Sequence, residues 1–303
     1  MSGEAAAASG RAPLAIVTMV YDEPLFLPLW LRHYTAQAEA RHCYVVDHGS
    51  DDGSTGTSTG TGLLTGVNVV RIPRSPQDDM RRCRFMSQFC AGLLVWYETV
   101  IYVDVDELLV ADPALHASLA DYAASLEAHA VISAIGLDVL HCPDEEPVLD
   151  WDRPVSLQRH WLRFSSAMCK PALIRRPVRW APGFHNIDAP PCFDELFLFH
   201  LRYADLQSGL ARLERTRAQD WVSPQAGSHQ RMADGVWYDM LLGIASLPRL
   251  TQGTLGLEDR SLHEWLARVM HSGASRENDL YRIDLHLSGN TLWRLPERFT
   301  GCF

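Results

Sequence analysis

Leu14 to Val20 is a short apolar run that stops at Asp22-Glu23-Pro24, the pattern of a buried strand followed by a helix start. Leu25 to Ala38 has helical spacing, with Pro28 admissible in the first turn. His42 to Asp47 and Val67 to Ile72 predict the second and third strands. Asp79 to Glu98 returns apolar residues at helical intervals, and Val100 to Asp104 predicts a fourth strand. A helix over Asp112 to Glu127 and a strand over Ala130 to Ile135 follow, then an acidic, proline-bearing loop from His141 to Asp152. Extended segments return at Pro171 to Arg176, Trp180 to Asn186 and Leu196 to Tyr203. From Ala204 onward the spacing is helical, through Leu206, Leu210 and Leu213, then Trp237, Met240, Leu241 and Ile244, then Leu262, Trp265, Leu266 and Val269. Strands alternating with helices predict an α/β fold, a mostly parallel sheet flanked by helices, with a helical C-terminal extension. The expected organisation is a flexible tail over 1–13, one sheet domain over 14–205 and a helical extension of it over 206–303, with the Gly/Thr/Ser-rich stretch Ser54 to Gly66 as a connector.

Composition narrows the picture. The 303 residues are 47% hydrophobic and 21% charged, enough for a full core. The formal net charge of −10 argues against a nucleic-acid partner, which needs clustered Lys and Arg. The seven cysteines form no C-x-x-C pair and sit mostly in apolar runs, which predicts buried thiols in a reducing compartment. No apolar stretch has the length of a membrane span, and Met1 to Pro13 lacks the parts of a signal peptide. A cytoplasmic protein is the expectation. The amphipathic C-terminal helices leave room for peripheral membrane contact.

Three of the first four strands end in acids: Asp22-Glu23, Asp47 and Asp104. Ligands of parallel sheets bind beyond these carboxyl ends. Within Asp104-Val105-Asp106-Glu107, an extended backbone would turn Asp104 and Asp106 the same way. Two converging carboxylates suit Mg²⁺ or Mn²⁺; a strand end capped by solvated acids gives the same pattern. Asp47 to Ser54 (DHGSDDGS) reads as a tight turn, or as a loop in which Asp47 accepts a hydrogen bond from a nucleotide base.

Ile16 to Glu23, Val45 to Ser54 and Asp104 to Glu107 together resemble the family 2 type of glycosyltransferase with the GT-A (Rossmann-like) fold, nearest its family-2-like or family-92-like branch. The order and spacing match over roughly the first 110 residues. Lys170 to Ile174, Trp180 to Asn186 and Leu196 to Asp205 resemble later blocks, so the likeness reaches about residue 205. Asp22 stands where the family usually has Asn. The resemblance implies a metal-dependent transfer of a sugar from a nucleotide diphosphate donor, most simply a UDP-sugar, to a hydroxyl of an unknown saccharide or lipid acceptor. It implies a donor pocket of Val20, Tyr21, Glu23 and Asp47, with Asp104, Val105 and Asp106 at the metal diphosphate. A histidine completes the metal shell in many such enzymes; His200 is preferred, which leaves His185 to the pocket. Among the basic cluster Arg71, Arg74, Arg81, Arg82 and Arg84, most read as a solvated helix face, with Arg81 or Arg84, and also Lys170, as diphosphate contacts. If the anomeric centre inverts, a carboxylate must take the acceptor's proton. Asp194 or Glu195 is the candidate, with Asp188 a third option, and a retaining enzyme would need another arrangement. Trp180 is the nominated sugar platform. Two other readings remain: a non-catalytic nucleotide-sugar-binding protein, and a nucleotidyltransferase, which the lack of glycine in Tyr21 to Leu25 disfavours.

Overall fold

A computed structural model describes residues 10–56 and 62–303. In chain order the strands are β1 (Ala12–Val20), β2 (Cys43–Asp47), β3 (Asn68–Arg71), β4 (Tyr97–Tyr102), β5 (Glu107–Ala111), β6 (Val131–Leu140), β7 (Trp161–Phe164), β8 (Pro171–Ile174), β9 (Phe193–His200), β10 (Arg249–Leu250), β11 (Arg276–Glu277), β12 (Leu280–Tyr281) and β13 (Leu292–Arg294). The α-helices are α1 (Phe26–Gln37), α2 (Asp79–Leu93), α3 (Leu119–Ser125), α4 (Leu206–Ala218), α5 (Asp234–Ala245) and α6 (Arg260–Ser272). The fold is α/β. Strands β3, β2, β1 and β4 lie side by side and parallel; β8, β6, β7 and β13 continue the sheet with antiparallel pairings. The long β6 also pairs parallel with β9, which carries β5 antiparallel on its other side.

Strands β1, β2 and β4 are mostly apolar because both faces are covered, while β3 at the sheet edge is partly exposed. Along β1, Leu14 and Ile16 join a core with Phe26, Leu27, Trp30 and Tyr34 of α1, while Ala15, Val17 and Met19 face Cys83, Met86 and Cys90 of α2. This is the two-residue alternation of a strand sandwiched between helices. Caps set the helix starts: Asp78 accepts from the Arg81 amide, Ser118 from Asp121 and Asp205 from Ser208. All seven thiols are free, five of them buried. No helix among the described residues is long and apolar enough to cross a membrane.

Several expected elements differ. Strand β1 begins at Ala12, inside the segment expected as tail; residues 1–9 of that tail and 57–61 of the Ser54–Gly66 connector lie outside the described residues. Helix α3 covers only Leu119–Ser125, since Asp112 folds back on the chain, its carboxylate accepting the Ala114 amide and pairing with Arg298. Trp180 to Asn186 is broken by a 3₁₀ turn at Pro182–Phe184, where Gly183 takes φ +80°. The C-terminal segment is helical as expected but also returns β10 and β13 to the sheet, and Phe299 and Phe303 pack into the main core.

His33 of α1 is buried and its Nε2 lies 2.8 Å from the Leu109 carbonyl oxygen. Burial pushes this imidazole down to about 4. With the folded value below that of the open chain, the unfolded state takes the proton first; stability is complete above about pH 6.5 and declines toward pH 4. At pH 5 the loss from this group is on the order of 2 kcal/mol. His33→Gln keeps a donor for Leu109, so its melting temperature should fall less than the wild type's between pH 7 and pH 5. An unchanged difference would show that the ring carries no proton linkage.

Candidate active site

Because β1 and β4 run parallel with Val17 opposite Tyr102, the loops that follow them leave the same edge of the sheet. That edge also receives the last residue of β9: His200 lies opposite Glu107 of β5 and Asp138 of β6. Two adjoining cavities open there. The smaller, about 130 Å³, is lined by Val20, Tyr21, Asp22, Glu23, His48 and Trp221, among others. The larger, about 750 Å³, takes in Asp104, Asp106, Asp138, Lys170, His185 and His200. Met19, Arg82, Val105, Arg212, Thr216 and Gln230 belong to both.

The smaller cavity is built on two interlocked turns. Asp22 takes φ +45°, a conformation Asp and Asn tolerate. Its carboxylate accepts the Asp51 amide at 2.9 Å, and its own amide donates to Ser50 Oγ. Either an Asp or an Asn oxygen can make that contact. Gly49 has φ +76°, and a Cβ there would lie 2.8 Å from Arg74. The Arg74 guanidinium sits 3.5 Å from the Tyr21 ring centroid. His48 is held neutral: burial first, then Arg74, Arg82 and Arg81, lower it to about 4. Asp47 stands behind this wall. Its Oδ1 accepts the Ser50 amide at 2.7 Å and its Oδ2 accepts Thr55 Oγ1 and Arg71 Nη1, both at 2.9 Å, so the carboxylate ties the loop down.

The floor of the larger cavity is an ion lattice. Asp104, Val105 and Asp106 form a turn between β4 and β5, closed by the Glu107 amide donating to the Asp104 carbonyl. They are therefore not the extended triplet that strand alternation implied. Lys170 Nζ donates to Asp104 Oδ2 at 2.8 Å and to Glu107 Oε1. Arg82 donates to Asp104 Oδ1 at 3.1 Å. Arg212 Nη1 donates to Asp106 Oδ2, and His200 Nε2 lies 3.3 Å from that oxygen. Burial alone would raise both aspartates, but the cations outweigh it: Lys170 and Arg82 hold Asp104 below the ordinary carboxylate range, and Arg212 and His200 hold Asp106 well below it. His200 is in turn bound through Nδ1 to Asp138 at 2.7 Å. Burial opposes its protonation, yet the two aspartates raise it to about 9.

By donor type Asp104, Asp106 and His200 suit Mg²⁺ or Mn²⁺, and Asp138 fixes His200 as a carboxylate fixes a ligating imidazole. As the side chains stand, no three acidic, imidazole or thiol groups among the described residues gather around one point. Lys170, Arg82 and Arg212 occupy the two aspartates instead.

Of the other residues expected from sequence, Val20, Tyr21, Glu23, Val105, Lys170 and His185 line the cleft. Four do not. Asp47 lies behind it. Arg84 is exposed and lines neither cavity, and neither does Arg81; Arg82 reaches in, because a two-residue step turns a helix by about 200°. Asp194 and Glu195 are corrected as base candidates. They begin β9, about 20 Å along the strand from His200, where Tyr122 Oη donates to Asp194 and His116 pairs with Glu195. Asp188 accepts the Arg179 amide and also lines neither cavity. Trp180 is buried with its Nε1 on the Pro171 carbonyl, so it is core and no platform. Sequence reasoning missed Asp138, His48, Arg212, Arg215 and Tyr203. For Asp138 the available signal was a lone acid in an apolar run.

No family model matches the chain, and no curated protein does. Among solved structures, S. aureus TarS residues 1–349 in complex with UDP-GlcNAc is 15% identical, covering 54% of this chain and 45% of that one, with a TM-score of 0.30. A longer S. aureus TarS structure is 10% identical over 72% of this chain and 41% of its own, at 0.31. A Bacillus anthracis protein with a sucrose bound, provisionally assigned as a glucose-1-phosphate thymidylyltransferase, is 10% identical over 75% and 83%, at 0.29. The chain spans under half the length of the TarS structures. Overlaps this slight leave ligand and activity to be argued from the site's own geometry.

Lys170 is the charge on which the turn rests. Replacing it by Met leaves Glu107 buried without a cation and Asp104 with Arg82 alone, a change that costs roughly 3–5 kcal/mol in comparable pairs. Thermal or denaturant unfolding of Lys170→Met should show a loss of that size, partly recovered in the double variant with Glu107→Gln. A loss under about 1 kcal/mol would mean a solvated pair.

Proposed function

We propose that the protein is a glycosyltransferase of GT-A type that moves a sugar from a nucleotide diphosphate donor, most simply a UDP-sugar, to an acceptor hydroxyl. The observation that carries this is the division of one cleft into two cavities with the Asp104-Val105-Asp106 turn and two arginines at their junction. In this reading the base packs against Tyr21 and His48 in the smaller cavity, and the sugar and acceptor take the larger. Both cavities lie beyond the carboxyl ends of parallel strands, where such sheets bind ligands.

In this reading Asp104, Asp106 and His200 would hold a Mn²⁺ or Mg²⁺, which when bound offsets the charge of the departing diphosphate. The chain itself positions the donor, excludes water behind the buried floor and supplies cations near the leaving group. The acceptor's proton passes to a carboxylate within the larger cavity, since Asp194 and Glu195 stand outside it. The acceptor is a saccharide or a lipid hydroxyl.

Release of UDP from a panel of UDP-hexoses, with Mn²⁺ and after chelation, tests the proposal. Turnover should appear with at least one donor, depend on the metal and fall by about 100-fold or more in Asp106→Asn, the scale of losing an electrostatic contact to the reacting groups. UDP binding without turnover on any donor or acceptor would reduce the protein to a nucleotide-sugar-binding one. No UDP binding with or without metal would end the donor reading.

A further inference from the structure

A sugar nucleotide laid through the cleft must place its two phosphates where the cavities meet, because the diphosphate links the nucleoside to the sugar. Two cations are common to both cavities, Arg82 from α2 and Arg212 from α4. Each guanidinium rests on one aspartate of the turn: Arg82 on Asp104 Oδ1 at 3.1 Å and Arg212 on Asp106 Oδ2. Both side chains are largely but not wholly enclosed, 18% and 24% exposed, so each keeps donor groups toward the cleft.

Resting on the donor reading above, we propose that Arg82 and Arg212 form a two-armed diphosphate site. Each arm neutralises its aspartate in the empty cleft and turns its guanidinium to the phosphate oxygens when the donor enters. Arg212 is braced for such a shift. Its guanidinium lies 4.8 Å from the Phe26 ring centroid, and its Nε is 3.8 Å from Glu23 Oε2 on the opposite lip. Arg215, one turn along α4, also pairs with Glu23, at 3.4 Å. Helix α4 is therefore tied across the cleft to Glu23 by ion pairs of Arg212 and Arg215, while nearer its N-terminus Gly209 packs so closely on Trp237 that a Cβ would meet the indole at 2.3 Å. A planar guanidinium fork matches phosphate oxygens as well as it matches a carboxylate, and the exchange keeps each arginine paired throughout. Movement of Arg212 also uncovers Asp106, one of the groups that would hold the metal.

Isothermal titration separates this role from a purely structural one. The ligands are UDP and uridine, with Mn²⁺ present, and the proteins are wild type, Arg82→Gln, Arg212→Gln and Arg212→Lys. The site predicts UDP affinity at least about tenfold weaker in both glutamine variants, the scale of a lost charged hydrogen bond, with uridine affinity unchanged and Arg212→Lys intermediate. UDP affinity unchanged in the glutamine variants, or UDP and uridine weakened by the same factor, overturns the assignment while leaving the donor reading intact. Failure of the wild type to bind UDP overturns both. Should Arg82→Gln not fold, the Arg212 pair of variants decides the matter, because that side chain is the more exposed and sits on a helix face.

Discussion

The cleft depends on a buried balance of charge. Asp104, Asp106 and Glu107 lie within four residues, in the turn after β4 and at the start of β5, against apolar neighbours such as Val103, Val105 and Leu108. Carboxylates so placed are tolerable only when cations reach them. Lys170 from the residue before β8, Arg82 from α2, Arg212 from α4 and His200 from the end of β9 all converge on this turn. Four separate parts of the fold are thereby held to one point, and the point lies at the edge where parallel strands deliver their loops.

This arrangement links stability to ligand chemistry. The same cations that make the acids tolerable are those an anionic ligand would seek, and the same acids would draw a divalent ion. An empty cleft satisfies its charges internally; an occupied one must redistribute them. The interactions on the β1 side differ in kind. Asp22, Asp47 and Ser50 fix two turns to each other through backbone amides, giving a wall whose shape does not depend on a ligand's charge.

Strands β1, β2 and β4 of the parallel half were legible because they are mostly apolar and run into acids at their carboxyl ends. Leu14 to Val20 and His42 to Asp47 could hardly be anything else. Short strands such as Trp161–Phe164 and Leu292–Arg294 were not, since their pairing with each other is a long-range fact with little local pattern. Asp194 and Glu195 show a different limit. Sequence reveals two acids beside a strand, but which end of β9 meets the cleft follows from its antiparallel register with β5. Arg82 rather than Arg84 is a matter of helix phase fixed by the buried Cys83, Met86 and Cys90. Arg212 meets Asp106 across 106 residues, and the tail that carries it reads only as an amphipathic helix.

On the proposed reading, the junction above the Asp104-Val105-Asp106 turn receives a nucleotide's diphosphate. A crystal structure grown with UDP and Mn²⁺ addresses it most directly. The account predicts uracil against Tyr21 and His48, phosphate oxygens on Arg82 and Arg212, and a cation on Asp104 and Asp106. Arginines still seated on their aspartates, with the nucleotide elsewhere on the surface, would contradict it.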